Sequence, residues 1–206
     1  MPNYIQNIRR VPKLGKFNSV LERQVETLKS LNRAGNVSFN VSNSLETDGA
    51  IITALPFNSI SDVEDFHDAF RSNPEAVKGF DDIASDCEKV NIQLLKVVEP
   101  GVIPPGGAKY LVRHLFFAKR GEAQNVVQVV TELRNAMDTA THLITVPVAG
   151  NLDIIRATIA VSSLEELETI TNEIATEKIQ AYALKISELT VRSVRSLSIV
   201  EYTKQT

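Results

Sequence analysis

One stretch, written twice, limits what this chain can fold into more than any other feature. Residues 4 to 16 read YIQNIRRVPKLGK and residues 110 to 122 read YLVRHLFFAKRGE. Both open on Tyr and an aliphatic residue, continue in extended-type residues, and close on a Gly beside basic side chains. Tyr4 and Tyr110 stand 106 positions apart, as do Gly15 and Gly121. A second anchor pairs SISDVEDF from Ser59 with SLEELETI from Ser163, at an offset of 104. A third pairs Val98-Glu99 with Val200-Glu201, at an offset of 102. Three anchors in one order, with small length changes between them, mark an internal duplication. A repeat of this kind fixes the architecture before any local structure is read.

Within the first copy, residues 3 to 12 read as a strand. From Lys16 the apolar residues Phe17, Val20, Leu21, Val25, Leu28 and Leu31 recur at steps of three and four, one face of a helix. Gly35-Asn36 ends it with residues that accept left-handed geometry. VSFNV alternates Val37, Phe39 and Val41 against polar neighbours, as a half-buried strand does. Asp48-Gly49 signals a hairpin turn into the strand AIITALPF. Ile60, Val63, Phe66 and Phe70 mark the next helix, which Asn73-Pro74 interrupts. A further helical stretch presents Val77, Phe80, Ile83, Ala84 and Cys87, and VNIQLLKVVE is the last strand. Ser59 and Ser163 are N-caps with an acid three residues on, Asp62 and Glu166.

The order is strand, helix, strand, strand, helix, strand: the ferredoxin-like split unit. The second copy repeats it. Its strands are expected at 109 to 118, near 142 to 149, near 153 to 161 and from about 192 to 202, with helical segments carrying Val126 to Met137 and running from 163 to about 188. The Pro/Gly-rich segment 101–108 reads as a linker between repeat 1, residues 1–100, and repeat 2, residues 109–206.

A ferredoxin-like sheet covers one face with its own helices. Here both faces of the first strand of copy two are apolar: Leu111, Leu115 and Phe117 on one, Tyr110, Val112 and Phe116 on the other. Such strands expect cover on both sides, and the duplicate supplies it. The fold class expected is therefore α+β, with two ferredoxin-like βαββαβ repeats whose antiparallel sheets pack into a pseudo-dimeric α/β barrel.

That arrangement resembles the dimeric α/β-barrel superfamily, which includes antibiotic-biosynthesis-monooxygenase-like domains. The resemblance rests on the pattern of elements and on a short basic turn into the first helix: Arg10, Lys13, Gly15 and Lys16 in copy one, Lys119, Arg120 and Gly121 in copy two. Copy two has Arg120 where a Pro often precedes the Gly. The resemblance implies cofactor-independent oxygenases, haem enzymes or small-ligand binders. The haem-degrading branch uses a Trp with a His and an Asn, and this chain has no Trp. No catalytic residue carries over.

Composition narrows the partners. The chain has 206 residues, 43% hydrophobic and 23% charged, with formal net charge -3. An acidic balance argues against a general nucleic-acid binder, and no RNP-type aromatic-basic strand supports an RNA-recognition sheet. The single cysteine, Cys87, excludes an intramolecular disulfide and a multi-cysteine metal site. The chain shows neither a signal-peptide run nor a long apolar span, so a soluble cytoplasmic protein is expected. There is no P-loop, no dinucleotide fingerprint and no nucleophile elbow, and neither a cofactor nor a metal is implied.

Three histidines remain as chemistry-bearing candidates. His67 sits in an acidic helix as a boundary residue, and His142 begins a strand as a turn-edge residue. His114 lies mid-strand in an apolar run beside Arg113, sharing a face with Tyr110 and Phe116. Arg9, Arg10, Arg113, Arg156, Arg192 and Arg195 fall in or beside strands, where Arg either captures an anion bidentately or pairs with strand acids such as Asp153, Glu99 and Glu201. The functional reading is a small-molecule pocket between sheet and helices of copy two, for an aromatic or anionic ligand. His114 would act as acid or base, Arg113 as anion anchor and Tyr110 as a further ligand contact. Ile8 stands where His114 stands, leaving copy one structural. The alternative is a non-catalytic structural or protein-interaction module. A cavity of roughly 300 Å³ or more separates the two. Whether the pseudo-dimer pairs again into a homodimer stays open.

Overall fold

The computed structural model describes residues 1–42 and 49–205. The Asp48-Gly49 turn falls partly outside them, since Asp48 is not among the described residues. The elements of the first copy are β1 (Tyr4–Pro12), α1 (Phe17–Ser30), β2 (Gly35–Asn40), β3 (Ile51–Phe57), α2 (Ile60–Arg71), α3 (Pro74–Ala84) and β4 (Cys87–Glu99). Those of the second are β5 (Tyr110–Ala118), α4 (Ala123–Ala136), β6 (Leu143–Pro147), β7 (Ile154–Val161), α5 (Leu164–Ile174), α6 (Glu177–Leu189) and β8 (Thr190–Lys204). The strands follow one another in the order β1-β3-β2-β8-β5-β7-β6-β4, a closed barrel. Each copy thus shows the βαββαβ order that its sequence predicts, with the second helical stretch made of two helices. No helix among the described residues is long and apolar enough to cross a membrane.

The chain divides into two compact units, and their borders do not coincide with the repeats. Unit 1 is Met1–Leu95 with Val200–Thr206, and unit 2 is Lys96–Ile199. The tail of β8 therefore belongs to unit 1 and the tail of β4 to unit 2.

The duplication is visible in matching registers. In β1 and β3, Ile8 faces Thr53. In β5 and β7, His114 faces Ala157, the positions 106 and 104 residues later. The basic turns match too. Gly15 (φ 76) and Gly121 (φ 86) hold the left-handed conformation that only glycine takes without strain. The Lys16 N–H donates to the Lys13 carbonyl at 3.0 Å and the Glu122 N–H to the Lys119 carbonyl at 2.9 Å.

The caps form as their sequence dictates. Ser59 Oγ accepts from the Asp62 N–H and Ser163 Oγ from the Glu166 N–H, each at 3.1 Å. The returning carboxylates reach one residue beyond the cap, to the N–H groups of Asn58 and Ser162. Asn73 Oδ1 accepts from the Glu75 and Ala76 N–H groups with Pro74 in the first turn, so α2 and α3 are separate helices.

Four boundaries differ from expectation. Gly35-Asn36 does not end α1 in left-handed geometry: the helix stops at Ser30, and Gly35 and Asn36 open β2, neither at positive φ. The helical run from 163 to 188 is two helices, broken at Ala175–Thr176 without a proline; Thr176 Oγ1 bonds back to the Glu173 carbonyl there. Cys87 begins β4 instead of ending the preceding helix, because α3 is already capped at Ser85. The last strands are longer than predicted: β4 starts three residues early, at 87–99, and β8 extends at both ends, at 190–204.

Candidate functional site

Alternation along β5 decides which side chains share a face. Even-numbered residues face the helices of unit 2 and odd-numbered ones face away. Val112 and Phe116 accordingly pack into apolar clusters with helix residues such as Met137, Val126 and Val130. His114 lies between them. Its cross-strand neighbours are Ala157 on β7 and Arg195 on β8. Two residues before Ile144 on β6, on the same parity, stands His142.

These groups line a cavity of about 370 Å³ in unit 2. The sheet side contributes His114, Phe116 and Ala157, with His142 at the entry to β6. Val130 and Leu133 come from α4, Ile174 from α5, and Ala183, Ile186 and Ser187 from α6. Thr190 to Ser193 close it from the start of β8. Leu133 packs against both apolar clusters of unit 2, and the cavity lies where the two meet. Its volume falls in the ordinary range for small-molecule sites, as does its make-up of apolar walls with a few polar groups.

Both imidazoles are available. His114 makes no hydrogen bond among the described residues; its ring lies 5.7 Å from that of Phe116, edge to face. His142 is 2% exposed and its Nδ1 has no partner among the described residues. Burial pushes the His114 pKa down to about 3, helped by Arg195 and His142. Burial likewise takes His142 to about 4, helped by Arg134 and Arg195 and opposed by Glu173. At neutral pH both rings are therefore uncharged, each with a nitrogen able to accept a hydrogen bond.

His142 is held by its surroundings. The Arg134 Nε donates to the His142 carbonyl at 2.9 Å and its Nη2 to the Pro100 carbonyl at 2.9 Å. Glu173 takes the Asp138 and Thr139 N–H groups at 2.6 and 3.0 Å, fixing the loop that leads into His142. The sequence places His142 at a turn edge. Its parity with Ile144 is the signal that puts it on the helix-facing side.

The structure does not bring the three singled-out residues together. Arg113 sits on the opposite face of β5 from His114, buried, its Nη1 donating to Ser198 Oγ at 2.6 Å. Burial and the nearby Arg156 lower its pKa to about 9. Tyr110 shares the face of His114 but lies at the far end of the strand, against Val112, Met137 and Ile159. His67, in unit 1, shares a 2.6 Å hydrogen bond with Gln6 Oε1. Of the other strand arginines, Arg192 lies over the Phe117 ring at 4.1 Å and Arg10 is buried in unit 1.

No family model matches the chain, and no curated protein sequence matches it. Solved structures do. A protein of Fusobacterium nucleatum provisionally assigned as a monooxygenase superposes with a TM-score of 0.69 over 100% of this chain and 95% of its own, at 11% identity. An anthrone oxidase-like protein gives 0.66 over 98% and 92%, at 12% identity. A Lactobacillus acidophilus protein with the same provisional monooxygenase assignment gives 0.66 over 98% and 96%, at 10% identity. The likeness spans both repeats at once. The chain has the dimeric α/β-barrel fold, with both halves supplied by one polypeptide.

Proposed function

We propose that this chain binds a small, largely apolar molecule bearing an acidic or hydroxyl group in the cavity of unit 2, and oxidises it in the manner of a cofactor-independent monooxygenase. The observation that carries the reading is the pair of neutral imidazoles, His114 and His142, facing an otherwise apolar space of about 370 Å³. The fold shared with proteins assigned as monooxygenases and with an anthrone oxidase-like protein supports it. The repeats 1–100 and 109–206, joined by 101–108, act as frame and site respectively.

In this reading His114 takes a proton from an acidic C–H or O–H of the substrate, and the anion formed beside the ring raises the ring's own affinity for that proton. The resulting carbanion or enolate passes its electrons directly to O2. For an activated methylene, one oxygen atom remains as a carbonyl and the other leaves as water. Arg195, beside His114, stabilises the anion. Arg113 contributes from the other face, by holding β8 to β5 through Ser198, and Tyr110 closes the far end of the same face as His114.

A thermal-shift screen of aromatic acids, phenols and anthrones tests binding. A ligand at about a hundred times its Kd adds roughly 2.7 kcal/mol of stability. Loss of the shift in Ala183→Phe, which fills the cavity, supports the site. A shift that survives Ala183→Phe rejects it. Oxygen consumption with anthrone, lost in His114→Gln while binding persists, supports the chemistry. Undiminished consumption in that variant removes His114 from the reaction.

A further inference from the structure

The two units carry one frame with different contents. Two pairs of contacts fix the correspondence at the end of their last helices. The Lys13 N–H donates to the Asp86 carbonyl and the Lys119 N–H to the Leu189 carbonyl, both at 2.8 Å. Cys87 Sγ reaches the Ile83 carbonyl at 3.4 Å, as Thr190 Oγ1 reaches the Ile186 carbonyl at 2.9 Å. On the resulting offset of 103, Phe80 of α3 occupies the place of Ala183. The sheet registers and helix anchors add the rest. Arg10 stands for Phe116, Gln24 for Val130, Thr53 for Ala157 and Phe70 for Ile174.

All five of these unit 2 residues line its cavity. In unit 1 the five counterparts touch one another instead. Arg10 Nη1 donates to Gln24 Oε1 at 2.7 Å, and Thr53 Oγ1 donates to the same oxygen at 2.8 Å. The guanidinium lies 4.9 Å from the centre of the Phe80 ring, which meets Phe70 edge to face at 5.9 Å. Arg10 is 3% exposed and Gln24 2%. Two phenyl rings stand where unit 2 has Ile and Ala, and a long guanidinium crosses the space between sheet and helices.

We propose that unit 1 contains a second binding site of the same apolar, sheet-and-helix kind, closed by its own Arg10, Gln24, Thr53, Phe70 and Phe80, so that one chain takes one ligand, in unit 2. This rests on the reading of the unit 2 cavity as a ligand site. The closure is built from side chains alone, on a backbone whose register and turns match those of the open site. Exchanging side chains therefore exchanges the state.

Xenon, which enters dry apolar cavities whatever their natural ligand, tests this in crystals of the whole chain under pressure. The wild type is expected to hold xenon in unit 2 and not at the Arg10 position of unit 1. The variant carrying the unit 2 residues, Arg10→Phe, Gln24→Val, Thr53→Ala, Phe70→Ile and Phe80→Ala, is expected to gain a xenon site in unit 1. The reverse exchange, Ala157→Thr with Ala183→Phe, is expected to lose the site in unit 2, and decides the matter if the first variant does not fold. Xenon at the Arg10 position of the wild type overturns the proposal. So does a folded five-fold variant without it, or a reverse exchange that keeps its xenon. Absence of xenon from unit 2 of the wild type overturns the cavity reading itself, and the proposal with it.

Discussion

Unit 1 packs one continuous apolar core, from Val20 and Leu28 through Phe57 to Ile83 and Cys87. Unit 2 packs two, one around Ile159 and Ile170 and one around Val126 and Ile155, with Leu133 touching both. The same order of elements produces a filled half and a hollow one. The difference lies in side-chain volume and polarity at a few inward positions, because strand registers, basic turns and the serine caps are alike. A duplicated chain can keep stability in one copy and give the other an incompletely packed interior. A void costs stability in proportion to its size, and a well-packed twin offsets that cost.

The largest contrast should come from Gln24 and its counterpart. Gln24→Leu removes the acceptor of a buried guanidinium and is expected to cost about 2–3 kcal/mol in urea denaturation. Val130→Leu adds volume beside a cavity and is expected to change stability by less than about 1 kcal/mol. Equal losses would mean that unit 1 is no more tightly filled at this position than unit 2.

Acid should act on unit 2. An unfolded histidine titrates near 6.5, whereas folded His142 and His114 titrate near 4 and 3. The depressed values make the folded state bind fewer protons. Their contribution is fully present above about pH 6.5 and is lost as pH falls towards the folded values. At pH 5 the loss is about 2 kcal/mol for His142 and smaller for half-buried His114. Denaturation midpoints of the double variant His114→Gln/His142→Gln should fall less between pH 7 and pH 5 than those of the wild type. Parallel curves would show that neither ring is held neutral.

The smallest effects should be equal. Ser59→Ala and Ser163→Ala each remove one cap hydrogen bond and are expected to cost about 1 kcal/mol. A marked inequality would show that the two capping boxes bear different loads.

Much of this architecture is written locally. The doubled Tyr-to-Gly stretch, the serine caps and the Asn73-Pro74 break each state a backbone preference that tertiary packing leaves intact. His114 is legible as an inward polar residue, because an ionisable side chain in the middle of an apolar strand persists only against the cost of burying it. His142 is not, since a residue before a strand reveals its face only once the strand's parity is known. Arg113 beside His114 in sequence suggests one site, yet a two-residue period sends neighbours to opposite faces. The hollow itself is unreadable in the sequence. It depends on Ala157 and Ala183 being small at positions whose partners come from three distant segments. The break between α5 and α6 escapes for a similar reason, as it uses a threonine hydroxyl in place of a Pro or Gly.

The tail of β8 has a consequence for how the protein is made. Tyr202 packs against the core of unit 1, and the Lys204 ammonium reaches the Lys29 carbonyl at 2.7 Å. Residues needed to finish the first half are thus synthesised about a hundred positions after the rest of it. While the chain emerges from the ribosome, the first half waits with a bare flank, and the second can gather its own contacts up to Ile199 before then. Cutting the gene at the linker would yield two fragments, each lacking a piece that the other carries. Supplied together, they would be expected to restore each other, as neither would alone.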